Sequence, residues 1–310
     1  MDGKTNDTMN KRVLLTGILL LPMLMHAEHL IEAGAKFGLS GYDAQCTYVT
    51  PKSDIHAGLM LSYAYHSPFV AAFRAGVTAE RHQVGFSKNN YTDSYTVTDV
   101  EGDPMQVDYT IGRLREDYTT WSIGFPLQVG VSYKHVNVYV GPKIVIPFSV
   151  SWKETAENAS LSVYYPLQDN RVYESYPLAA SRSFNEYQSG VHGNPVVQWW
   201  LSAELSYDIV LFTSRRYRSY LSIGIYADYS FTREKDAASD FISLLMLSDT
   251  RDGFPLHRMM VPVVSAFRQG ERLVSSRKPF DVGIKVSYRL APYDSTKKNA
   301  EFCRCIDAAF

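Results

Sequence analysis

Eight segments of the chain alternate between apolar and polar residues with a period of two. The clearest runs from Trp121 to Tyr133. Trp121, Ile123, Phe125, Leu127, Val129, Val131 and Tyr133 share one parity, and Ser122, Gly124, Pro126, Gln128, Gly130 and Ser132 share the other. Such alternation puts the two sets on opposite faces of a β-strand. Strands of 12–16 residues are long for a soluble sheet, where five or six is usual, but suit a tilted membrane crossing of about 9–11 residues.

Seven other segments read the same way. Their apolar faces are Ile31–Leu39, Ile55–Tyr65, Phe69–Val77, Val138–Phe148, Trp199–Tyr207, Leu221–Phe231 and Phe280–Leu290, each taken at every second residue. None of these faces carries a charge. The opposite faces hold Lys36, Arg74, Lys143, Lys285 and Arg289 together with Glu32, Glu80, Glu204, Asp208, Asp228 and Asp281. A charge turned to lipid at the midplane would cost about 2–4 kcal/mol, so this segregation is what a membrane barrel needs. A soluble sandwich would instead show a polar outer face.

The connections alternate in length: 42–53 long, Ser67–Pro68 short, 83–117 long, Lys134–His135 short, 153–195 long, Thr213–Arg216 short, 233–277 long. Short periplasmic turns and long extracellular loops are the habit of outer-membrane barrels. The expected fold is therefore all-β, an eight-stranded antiparallel up-and-down transmembrane β-barrel with long extracellular loops. Ten strands is the alternative, should the loops at 95–111, 160–167 or 241–267 contribute two more. Pro126, Pro142 and Pro147 fall inside strands and predict bulges or breaks, since each removes a ladder donor.

Lys11 and Arg12 precede the apolar run Val13–Met25, and Ala27 follows. This reads as a signal peptide over residues 1–27 with translation starting at Met9, the barrel over 28–290 and a periplasmic tail over 291–310. The expected address is the bacterial outer membrane.

Composition narrows the function. A net charge of -1 excludes a dedicated nucleic-acid binder, and a mean hydropathy of -0.18 excludes a bundle of membrane helices. The 22 tyrosines find a place in aromatic girdles at the membrane boundaries, where Tyr63, Tyr65, Tyr133, Tyr207, Tyr229 and Tyr288 sit near strand ends on the apolar parity. The inward charges, five positive and six negative, are expected to pair and fill the lumen, because an eight-stranded interior is only wide enough for side chains.

No cofactor or metal is expected. Cys303 and Cys305 are spaced too closely for a zinc knuckle, Cys46 falls in the first extracellular loop, and the eight histidines show no metal-ligand spacing. Scattered Ser and His give no nucleophile–base trio, so catalysis is not expected. The loops are the stronger functional candidates. Phe241–Leu247 and Met259–Phe267 either cap the barrel mouth or form a docking surface for an extracellular partner.

Ile123-Gly124-Phe125-Pro126-Leu127, then Tyr133, then Tyr139-Val140-Gly141-Pro142, and the closing strand ending Tyr288-Arg289-Leu290 resemble the outer-membrane β-barrel family of Bacteroidota that includes the PorT-like proteins. The resemblance implies a barrel of the OmpA/OmpX size class without catalytic residues. It also implies, as an alternative to partner or surface binding, an accessory role in protein secretion or envelope assembly. A lipid-modifying barrel enzyme is a third reading. The expected partners are outer-membrane lipid and an extracellular or periplasmic protein.

Overall fold

A computed structural model describes residues 28–67, 70–98, 102–166, 170–172, 184–191, 196–214, 217–233, 243–248 and 257–292. The residues expected to form a signal peptide, Cys303, Cys305 and all of the expected tail except Ala291 and Pro292 lie outside the described residues.

Eight antiparallel strands form the ring: β1 (Glu28–Cys46), β2 (Thr50–His66), β3 (Ala71–Thr98), β4 (Pro104–Tyr133), β5 (Val136–Tyr165), β6 (Gln198–Thr213), β7 (Tyr217–Ser230) and β8 (Val274–Pro292). Each pairs with the next in sequence, and β8 pairs with β1 to close the sheet. Closure removes the unpaired edges that an open sheet would present. The segments Asn170–Val172 and Phe184–Val191 pair only with the upper half of β5 and stay out of the ring, which decides eight strands over ten.

The alternation seen in sequence is the division between outside and inside. Ile31, Phe37, Leu59, Phe73, Leu127, Val138, Ile225 and Ile284 point outward and are exposed, while the intervening residues are buried in the lumen. Leu59 is 68% exposed in the middle of β2. In water, leaving such a side chain uncovered forfeits about 1.5–3 kcal/mol, so a belt of them around the ring calls for an apolar surrounding.

Two of the three prolines interrupt the ladder on one side each. The β3–β4 pairing passes from Ala75↔Leu127 to Thr78↔Gly124, skipping the rungs beside Pro126. The β4–β5 pairing passes from Pro126↔Lys143 to Val129↔Val140, skipping the rung of Pro142. Pro147 sits at a bulge, where Trp121 pairs with Ser149 but Ser122 with Pro147. The missing N–H groups thus fall where hydrogen bonds are already absent.

The connections 83–117 and 153–195, expected to be loops, are largely strand. β3, β4 and β5 are 28, 30 and 30 residues long and continue past the ring as a sheet. The connection expected over 42–53 shrinks to the three residues between β1 and β2. One face of the projecting sheet carries Phe86, Tyr91, Val107, Tyr109, Ile111, Leu114 and Leu161. The connection between β7 and β8 packs on it through Leu244, Leu245, Met260, Val261, Val263 and Val264, all buried. The described residues therefore enclose a large apolar interior under this cap and a charged one below it in the ring, with a small apolar cluster of Leu30, Ala64, Tyr220 and Ala291 towards the short turns.

Candidate functional site

All eleven charged residues expected in the lumen are there, and all are buried. The inward parity of each strand places them, and the register of neighbouring strands sets their height. Glu32 lies opposite both Arg289 and Ser62, and Glu204 lies between Tyr139 and Tyr226.

The lower cluster centres on two glutamates. Arg74 donates to Glu204 through both terminal nitrogens, one at 2.8 Å, and to Gln128 from Nε at 2.8 Å. Its guanidinium also lies 3.4 Å from Glu32 and 4.3 Å from the centre of the Tyr139 ring. Lys285 bridges Glu32 at 2.5 Å and Glu204. Arg289 reaches Glu32 at 3.3 Å and holds both oxygens of Asp208 at 2.9 Å, while Asn137 donates to Asp208 at 2.9 Å.

Higher in the ring, Lys143 lies 2.7 Å from Glu80 and 2.8 Å from Asp228, and Lys36 lies 3.2 Å from Asp228. Ser202 donates to Asp228 at 2.5 Å and accepts from Gln128 at 3.0 Å, which joins the two clusters. Gly124 makes room for this pairing: a Cβ there would stand 2.8 Å from Lys143 Cε. Burying an isolated charge costs several kcal/mol even after relaxation, so each ion here depends on its partners. Both signs interleave, which gives ion pairs and not a lining selective for one sign of ion.

At the top of the lumen lies a group that sequence spacing did not reveal. His56 of β2 stands opposite His82 of β3, their ring centres 4.9 Å apart, and Asp281 of β8 reaches His82 Nδ1 at 3.0 Å. These residues lie 26 and 199 positions apart, so only the strand register could assemble them. The usable signal was their inward parity beside an unmatched sixth carboxylate. Above them Tyr42 stacks on Phe86 at 5.6 Å, where the charged interior gives way to the apolar one.

The six girdle tyrosines divide between two rims. Tyr63, Tyr65, Tyr133, Tyr207 and Tyr288 lie towards the end with the short turns, with Tyr63, Tyr133, Tyr207 and Tyr288 exposed. Tyr229 is at the opposite rim, beside Trp199 and Phe231, and its hydroxyl donates to Asp43 at 2.7 Å. Trp121 and Phe148 complete that rim from β4 and β5.

In the projecting sheet, Asp93 pins the cap. It accepts from Ser243 at 2.9 Å and from Tyr109 at 3.2 Å, and Arg268 lies 3.8 Å away with its guanidinium 4.1 Å from the Tyr48 ring centre. Burial, only partly offset by these donors, pushes the Asp93 carboxyl up from its ordinary value. An open cleft of about 540 Å³ runs beside it, lined by Thr92, Asp93, Asp108, Tyr109, Ser162 and Arg268 among others.

No protein-family model matches the sequence, and no curated protein matches it. Among solved structures, the crystal structure of a Pseudomonas aeruginosa FadL homologue aligns over 86% of this chain and 90% of its own, at 8% identity and a TM-score of 0.14. A likeness of that size carries no argument about fold or function.

Proposed function

We propose that this chain is an integral outer-membrane β-barrel, closed to solutes, that acts through binding by the folded sheet it raises above the membrane. The ring fold with its uncovered apolar belt and two aromatic rims is compatible with that membrane. The observation that carries the closed state is the continuous ion-pair network from Asp208 to Asp228, filling the lumen with buried side chains of both signs. Passing a hydrated ion through it would require breaking several desolvated pairs at once, each break costing about 3–5 kcal/mol.

The binding role rests on the projecting sheet. An eight-stranded ring needs only short connections to close, whereas β3–β5 run many residues beyond it and are packed by a cap with its own apolar core. A rigid scaffold holding out an ordered surface is where recognition is usually found. The partner is a macromolecule met outside the cell; lipid is the partner of the belt.

Planar bilayers containing the purified chain test the closed lumen. The expected record is flat, and stable stepwise openings overturn it. Protease treatment of whole cells tests the orientation. Cleavage is expected beyond the Trp121 row with the ring protected, and protection of the projecting sheet in intact cells would reverse the assignment.

A further inference from the structure

Of the six buried carboxylates in the lumen, five pair with Lys or Arg among the described residues. Asp281 instead has only histidine as its ion-pair partner: His82 Nδ1 at 3.0 Å and His56 Nε2 at 3.9 Å from Oδ2. It also lies directly opposite Asp228, so two like charges share one rung, and Lys143 and Lys36 neutralise Asp228. Like charges facing each other across a ladder are destabilising, and the surplus charge of the lumen sits on Asp281.

We propose that His56, His82 and Asp281 bind one divalent transition-metal ion, Zn²⁺ by ligand type, at the top of the lumen. The three donor atoms lie within 4.8 Å of one another, and all three residues are buried. Two imidazoles and a carboxylate at bond lengths of about 2.0–2.2 Å suit Zn²⁺, and ligand edges of about 3.3 Å follow from tetrahedral geometry. Reaching that figure means drawing His56 Nε2 in from 3.9 Å and letting His82 Nδ1 move out from 3.0 Å relative to Asp281 Oδ2.

The surrounding contacts orient the donors for a metal. Tyr226 OH lies 2.5 Å from His56 Nδ1; with Nδ1–H donating to that oxygen, the Nε2 lone pair faces inward, and Nε2 has no hydrogen-bond partner. Ser122 Oγ bonds His82 Nε2 at 3.0 Å, with Glu80 Oε2 3.6 Å away, leaving Nδ1 towards Asp281. Ser40 Oγ and His82 Nδ1, the latter at 3.1 Å, both bond Asp281 Oδ1, so a metal would replace the His82–Asp281 bond; Oδ2, 3.0 Å from the same nitrogen, is buried with no hydrogen bond of its own. Partners on the outer nitrogen of each ligating histidine are the usual support of a metal site.

Beside the group is a cavity of about 20 Å³ bordered by Ser40, His82, Ser122, Trp200 and Asp281. It has room for one water as a fourth ligand and none for an organic substrate. The site is accordingly structural: it ties β2, β3 and β8 together where the ring meets the cap, and it does not depend on the closed-lumen reading.

The test uses the tag-free chain purified in detergent, stripped with chelator and dialysed against Zn²⁺, with folding checked by heat-modifiable gel mobility. The expected result is one equivalent of Zn²⁺ per chain by elemental analysis and visible tetrahedral bands after Co²⁺ substitution. His82→Gln and Asp281→Asn are expected to lose the Co²⁺ bands and at least tenfold in affinity, while His135→Ala in a turn keeps both. Should a variant lose its folded band, His56→Gln supplies the comparison. A folded wild type that takes up no metal, or variants that bind as well as it does, would overturn the site.

Discussion

Glu116 on β4 and Glu154 on β5 face each other directly across the ladder, both fully buried beneath the cap and above the Trp121 row. One oxygen of Glu116 accepts the backbone N–H of Val263 at 2.6 Å, which ties the cap to the sheet. Both oxygens of Glu154 are buried without a hydrogen-bond partner. Burial first, and then the negative charge of Glu116, pushes the Glu154 carboxyl well above the ordinary carboxylate range.

This pair makes the cap sensitive to pH. A carboxyl raised in the folded state keeps a proton that the unfolded chain releases above about pH 4.3, so stability is greatest below that value. It then falls as pH rises towards the folded pKa. Glu154→Gln is expected to abolish the slope and to stabilise the cap at neutral pH, because the amide has no proton to release on unfolding. Hydrogen exchange around Val263, followed from pH 4 to 8 in both chains, reads the effect; equal slopes in the two would refute it.

Within the lumen, Arg74 has the most to lose. Arg74→Met leaves Gln128 and one side of Glu204 without a donor and is expected to cost about 3–5 kcal/mol in urea unfolding from lipid. Arg74→Lys keeps the charge but not the two-pronged geometry, so an intermediate loss is expected. Adding Glu204→Leu to Arg74→Met is expected to recover part of the cost, because the orphaned charge is gone. A double mutant worse than the sum of the singles would contradict the pairing.

The proposed membrane setting can be tested at two outward residues of β2. Leu59 lies midway between the rims and Tyr63 close to the short-turn end. Leu59→Arg is expected to destabilise by about 2–4 kcal/mol in a bilayer, and Tyr63→Arg by about 0–1. In a water-soluble ring both changes would be harmless, so equal tolerance at the two positions defeats the membrane assignment.

The ring was legible because its outward face must be apolar at every second position, and charges such as Lys143 and Asp228 can only turn inward. The projecting sheet obeys the opposite rule, apolar inward and polar outward, and it also changes phase. Buried positions run through Val84 and Phe86, then Tyr91 and Tyr95 on β3; through Ile111, then Leu114 and Glu116 on β4; and through Glu154 and Ala156, then Ala159 and Leu161 on β5. Each strand slips by one residue on the same row, at Asn90, Gly112 and Asn158, none of which appears among the paired rungs. A period-two search with fixed phase ends there. The His56–His82–Asp281 group was hidden for another reason, since residues on three strands meet only once the register is known.

That row yields a last prediction. Asn90 and Asn158 both have φ of 52°, in the left-handed region where asparagine is tolerated and β-branched residues are not. Between them, a Cβ on Gly112 would stand 3.0 Å from Asn158 Cβ and 3.3 Å from the Glu157 carbonyl oxygen. Asn158→Val is therefore expected to cost about 1–2 kcal/mol through the backbone, whereas Asn158→Gly stays near wild type. If the slip were lost, Ala159, Leu161 and Val163 would turn outward and the cap would lose its floor. Proteolysis of the cap should then accelerate in Asn158→Val while the heat-modifiable band of the ring persists. Loss of both together would mean that ring and cap unfold as one unit, and an unchanged cap would mean that the row does not set the phase.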